Sequence, residues 1–146
     1  MGTYDNIDID FAYRTRRIIE QYDEKIPKGR ENYDVTLLIN CLVGLLIVPQ
    51  QRRYRQIPDV PLKNLAGWDI DPSFVESWGH RSNAKPTLRE FVRHLRNGVA
   101  HFHIKAEGTK DDIQQLKFSD ENGFCATIPV GNLRHFAMKL ASTICT

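Results

Sequence analysis

The chain has only three cysteines in 146 residues, Cys41, Cys125 and Cys145, and no CxxC pair. An odd, widely spaced set argues against a disulfide framework and against a zinc knuckle. A reducing, cytoplasmic compartment is therefore expected. The net charge is only +2, so the whole-chain balance says little about partners. The longest apolar run, VTLLINCLVGLLIV at 35–48, contains Asn40 and falls short of the roughly 20 residues a bilayer requires. It reads as a buried helix, and no membrane association is expected. The opening MGTYDNIDID is acidic and lacks an apolar stretch, so no signal peptide is expected. Asn6 breaks the myristoylation pattern. There is no P-loop, no GxGxxG and no Ser-His-Asp arrangement, and no cofactor is implied. Repeats and low-complexity tracts are also missing.

What remains is an ordinary globular composition, 41% apolar and 26% charged. The length suits a single domain over 1–146 with a core of its own. Residues 9 to 25 predict a first helix with Asp8 as N-cap and Phe11, Thr15, Ile18 and Tyr22 along one side. Pro27 and Gly29 break it. A second helix runs from about Asp34 to Val48, before Pro49, and QQRRYRQ extends it in one reading. Residues 56 to 86 hold four prolines and both tryptophans, Trp68 and Trp78. Such a connection should wrap over the core, with a helical turn near 72 to 78. Thr87 and Glu90 form a capping-box pair that starts a third helix, ending near Ala100 or His101. Two or three short strands follow, with Glu121-Asn122-Gly123 as a hairpin turn. The last helix spans about Gly131 to Thr143, with Leu133, Phe136, Ala137, Leu140 and Ile144 as its stripe. The expected fold is mainly α: a bundle of four to five helices with a small β-hairpin inserted before the last helix.

The third helix carries the candidate functional residues. Leu88, Phe91, Val92, Leu95 and Val99 fall within about 60° of one line, its core face. Arg93, Asn97 and His101 follow the i, i+4, i+8 edge on the far side. Arg96 sits on the flank, about 140° from His101 on an ideal helix. Two such helices related by a twofold axis would bring His101 of one beside Arg96 of the other, so the pattern suits half of a dimeric site. From His80 to Lys105 there are six Lys or Arg residues against one acid, Glu90, and RRYR at 52–55 adds three more. That local positive patch suits a phosphate-bearing partner.

Here the chain resembles a known family. RNGVAH, residues 96–101, fits the Arg-x4-6-His motif of HEPN domains, with Asn97 in the polar place after the arginine. The VTLLINCLVGLLIVPQ run and the hairpin before the last helix also resemble a small bacterial, often plasmid-borne branch, over roughly residues 10–145. The resemblance implies a metal-independent endoribonuclease acting as a homodimer. It also implies a toxin or antiphage role, with a neutralising antitoxin-like protein in some members. Arg96, Asn97 and His101 would be catalytic. His101 would move the proton of the 2′-OH or of the leaving 5′-oxygen, and Arg96 would hold the phosphate, giving a 2′,3′-cyclic phosphate. Asn97 would orient the imidazole or bind a phosphate oxygen.

Arg93, His103, His80 and Arg81 are the expected substrate contacts. His94 is a weaker candidate for the same face, and RRYR for gripping RNA. His101-Phe102-His103 is also a His-x-His, but no third ligand stands at metal spacing, and no metal is expected. Cys41, inside the apolar run, reads as a core thiol. The alternative function is a catalytically silent HEPN module that binds nucleotide, nucleic acid or a partner protein. The plainest alternative is a structural helical protein.

Overall fold

The computed structural model describes residues 7–25, 34–47, 54–64, 67–80, 86–109 and 112–144. In chain order these form α1 (Ile7–Lys25), α2 (Asp34–Ile47), β1 (Val75–Trp78), α3 (Leu88–Ala100), β2 (Ile104–Thr109), β3 (Asp112–Ser119), β4 (Phe124–Pro129) and α4 (Val130–Ile144). Short 3-10 turns occupy Tyr54–Gln56, Leu62–Asn64 and Pro72–Phe74.

Each helix buries the face its pattern demands. On α3, Leu88, Phe91, Val92, Leu95 and Val99 are all buried, as expected, and Thr87 Oγ1 accepts the Glu90 N–H at 3.2 Å. On α4 the whole expected stripe is buried. On α1 the line is rotated by one residue: Ala12, Thr15 and Ile19 are buried, while Ile18 is half exposed. The helix starts at Ile7, so Asp8 lies inside its first turn rather than capping it. Buried Thr15 is satisfied by donating to Phe11 O at 2.8 Å. On α2, Val35, Leu38, Leu42, Leu45 and Leu46 are buried against the other helices, with Thr36, Asn40 and Val43 outside. Among the described residues, no helix is long and apolar enough to cross a membrane.

The mainly helical expectation is overturned. The strands form one antiparallel sheet of four, in the order β1-β4-β3-β2, which makes the fold mixed α/β. The β3–β4 hairpin turns where expected, with Gly123 at φ 89° and its N–H on Asp120 O. The four-stranded sheet is a full layer, not a satellite. Leu116, Phe118, Phe124, Ala126 and Ile128 alternate inward and join the same core as the helices. The missed strand is β1, which pairs with β4 from Val75↔Ala126 to Trp78↔Phe124. Its four residues follow a proline-initiated turn, so only Pro72–Phe74 of the expected helical stretch is helical. A strand that short has too little alternation to be read alone.

The proline-rich connection does pack over the core. Ile57, Leu62, Trp68 and Ile70 are buried, and the Trp68 ring lies 5.7 Å from Phe136 of α4. Arg89 holds its first turn by donating to Ile57 O at 2.7 Å and Arg55 O at 2.9 Å.

α3 and α4 cover one face of the sheet, with α1 and α2 behind them. The closest approach is at Gly98, where a Cβ would meet the Ser119 carbonyl at 2.9 Å. That explains a glycine inside a helix, which otherwise costs about 1 kcal/mol. Gly98→Ala should therefore destabilise the protein by about 1–3 kcal/mol, despite its better helix propensity, because backbone must move. Urea unfolding measures this, and a stabilised variant would contradict the packing described.

Candidate functional site

α3 ends at the motif. His101 is the C-cap, at φ −99° and ψ 5°, and its N–H bonds Asn97 O at 3.2 Å. Phe102 follows at φ 54°, the left-handed region. Its N–H reaches Val99 O at 3.1 Å, and the His103 N–H reaches Gly98 O at 2.7 Å. This pair of bonds is a Schellman closure, with Phe102 where glycine is usual. The reversal leads into β2, and Ser119 N–H bonds His103 O at 3.1 Å. The motif is thus anchored to the sheet on both sides of the turn.

The turn brings His101 and His103 together, with ring centroids 5.9 Å apart and both side chains exposed. A left-handed residue between them does this, not the extended segment that a His-x-His suggests. Among the described residues, no group of three His, Cys, Asp or Glu side chains is placed to hold a metal. Arg96 and Asn97 form the other half, with Arg96 Nη2 3.5 Å from Asn97 Oδ1. That long contact leaves the guanidinium available, and no hydrogen bond joins it to His101. Arg93, on the same edge, pairs with Glu90 at 3.0 Å. A partly exposed i, i+3 pair of this kind holds weakly.

His94 is excluded from the solvent face. It is 2% exposed, and its ring stacks on Phe124 at 4.4 Å. His94 Nδ1 lies 2.6 Å from Asp120 Oδ2. Asp120 Oδ1 accepts the Asn122 and Phe124 N–H groups at 2.9 and 3.1 Å. Burial works against an ionised Asp120, but the His94 hydrogen bond and charge and these two N–H groups outweigh it, so its carboxyl sits below the usual range. An ionised carboxylate only accepts, so Nδ1–H donates. The pair clips the β3–β4 turn to α3. The sequence pattern placed His94 near the site face, since nothing in SDENG announces a partner for it.

His80 stands at the same end of the sheet as the motif, beyond β1. Its N–H bonds Asn122 O at 2.8 Å, and its exposed ring borders Gly123. Three strand spacings, about 14 Å, separate the β1 and β2 edges, so His80 lies at the far side of this rim. Arg81 is outside the described residues, as are Arg52 and Arg53. Cys41 is a core thiol, and burial pushes its pKa up. Lys117 was missed as a site neighbour. It pairs directly with Lys105 across β2–β3, so both extend the rim beside His103. The alternation in IQQLKFS is a signal that puts Lys117 on the solvent face, but only the strand register shows what it stands beside.

A family model described as HEPN pEK499 p136 matches residues 1–146. No curated protein and no solved structure matches the chain. Beneath the motif, the His94–Asp120 clip yields its own test. Asp120→Ala should cost about 3 kcal/mol at pH 7, since it strands a buried partner. The carboxyl is depressed in the folded state. Its contribution is therefore complete above the unfolded pKa of about 3.9 and lost as pH falls through the folded value. Melting temperature against pH should drop in acid more steeply for wild type than for Asp120→Ala; parallel curves would refute the clip.

Proposed function

The chain belongs to the HEPN pEK499 p136 family, and we propose that it is a metal-independent endoribonuclease, acting as a homodimer, with Arg96 and His101 as its catalytic pair. The family assignment supports a HEPN-type, nucleotide-related function. What carries the finer reading is the end of α3. His101 is held at an exposed C-cap, while Arg96 and Asn97 stand one turn earlier with the guanidinium uncommitted.

The chemistry is a transesterification. The 2′-oxygen attacks phosphorus as its proton leaves to a base, and the P–O5′ bond breaks as an acid protonates the 5′-oxygen. His101 serves as base or acid, because imidazole is the side chain best matched to both roles near neutral pH. Arg96 donates to the phosphate oxygens as charge builds on the pentacoordinate phosphorus. Asn97, one turn before His101 on the same edge, orients the imidazole or binds a phosphate oxygen. Products are a 2′,3′-cyclic phosphate and a 5′-OH. The angular separation of Arg96 and His101 on α3 favours a composite site in which each protomer's His101 works beside its partner's guanidinium. A toxin or antiphage role, with a neutralising partner, fits an RNA-cleaving activity of this kind.

The test is an RNA cleavage assay in EDTA with end-group analysis. Wild type should leave cyclic phosphate ends. His101→Ala should lose about 10²–10⁴-fold in rate, and Arg96→Ala about 10²–10³-fold. Mixing the two inactive variants should restore part of the activity through hybrid dimers. A folded, dimeric wild type that cuts no RNA would instead support the silent binding module.

A further inference from the structure

Two features beside the motif detract from folding. The first is Phe102. It occupies the left-handed C′ position of α3, where a bulky side chain is strained and glycine is favoured. The residue is 68% exposed, so burial returns little. The second is the β2–β3 register, which sets Lys105 directly opposite Lys117. Like charges facing across a strand pair repel. Phe118 and Leu116, the neighbours of Lys117, fill the core, so the lysines lie on the sheet's outer face. Glu76 approaches Lys117 at 3.8 Å and also bonds Thr127 Oγ1 at 2.6 Å. Among the described residues, Lys105 has no acid partner.

These features line one depression. Phe102, His103, Ile104, Lys105, Lys117 and Ser119 line an open depression of about 350 Å³. Its lip is His103, whose ring faces His101. An exposed aromatic ring next to paired cations suits a stacked base with its phosphates alongside. It suits a protein contact poorly, because lysine is depleted at interface cores.

We propose that this depression is a subsite for single-stranded nucleic acid, in which a base stacks on Phe102 and its neighbouring phosphates rest on Lys105 and Lys117. For its ligand class it rests on the RNA-cleaving reading: the strand leaves His101 over Phe102 and runs along the outer face of β2–β3. Binding itself needs no 2′-OH.

The probe is a fluorescein-labelled oligo(2′-deoxyuridine), titrated by anisotropy into the full-length protein. Phe102→Gly should weaken binding about tenfold while raising the melting temperature, because it relieves the left-handed strain. Phe102→Tyr should bind like wild type. Lys105→Glu with Lys117→Glu should weaken binding and flatten the salt dependence by about 1.4 log units per log unit. Lys63→Glu, at the opposite end of α3 about 20 Å away, should leave affinity unchanged. Undiminished affinity in Phe102→Gly overturns the subsite. So does a Phe102→Gly protein that loses its dimer in sedimentation yet binds equally per protomer, which would make Phe102 a contact between copies. Phe102-dependent binding by a wild type that cuts no RNA keeps the subsite and sinks the nuclease reading. RNA cutting with Phe102-independent binding does the reverse.

Discussion

The seating of α3 on the sheet is the contact that everything at the motif depends on. Two devices hold it. Gly98 lets helix backbone approach strand backbone at Ser119. The His94–Asp120 pair ties the helix to the β3–β4 turn one helical turn earlier. Apolar packing alone would allow α3 to slide, since Phe91, Leu95 and Val99 contribute non-directional burial. A hydrogen-bonded pair and a backbone contact are directional, and they fix where the helix stops. His101 stands where it does because the helix cannot shift along its axis without breaking both.

This seating also decides which polar residues are free for chemistry. His94, Asp120 and Arg89 are engaged with partners inside the fold. Arg93 is loosely held by Glu90. Arg96, His101 and His103 are left facing solvent or nearly so. Partner geometry, not residue type, separates the groups. The helix has several cations, and the fold leaves only those near its C-terminal end uncommitted.

How much was legible follows from the range of the interactions. α3 was readable almost residue by residue, because its cap and its apolar stripe are local. The α4 stripe and the Asn122-Gly123 turn were readable for the same reason. β1 was not: its four residues are a strand only because β4 offers an open edge. With β1 unread, the hairpin looked like an insertion into a helical bundle instead of half of a four-stranded layer. Ile18 and Ile19 on α1 illustrate a smaller loss, since two adjacent isoleucines leave the helix phase open by one residue. In the site, the 96–101 spacing could be read directly, whereas the roles of His94 and Lys117 lay in contacts 26 residues away in one case and in strand register in the other.

The correction from helical bundle to mixed fold bears on function as well as on architecture. A helix end alone presents one edge of polar residues. Here the chain reverses within two residues, and β2 and β3 then set His103, Lys105, Ser119 and Lys117 beside that edge. The reversal is tight because Phe102 accepts a left-handed backbone. A glycine there would make the same turn with less strain but would leave no ring. A longer loop would keep a ring but separate His103 from His101. Only a strained aromatic supplies both the short turn and an exposed flat surface. The cost sits at Phe102 and at the facing pair Lys105 and Lys117, while the Gly98 contact holds the helix end in place. That is the arrangement expected where local stability is exchanged for a surface with a use.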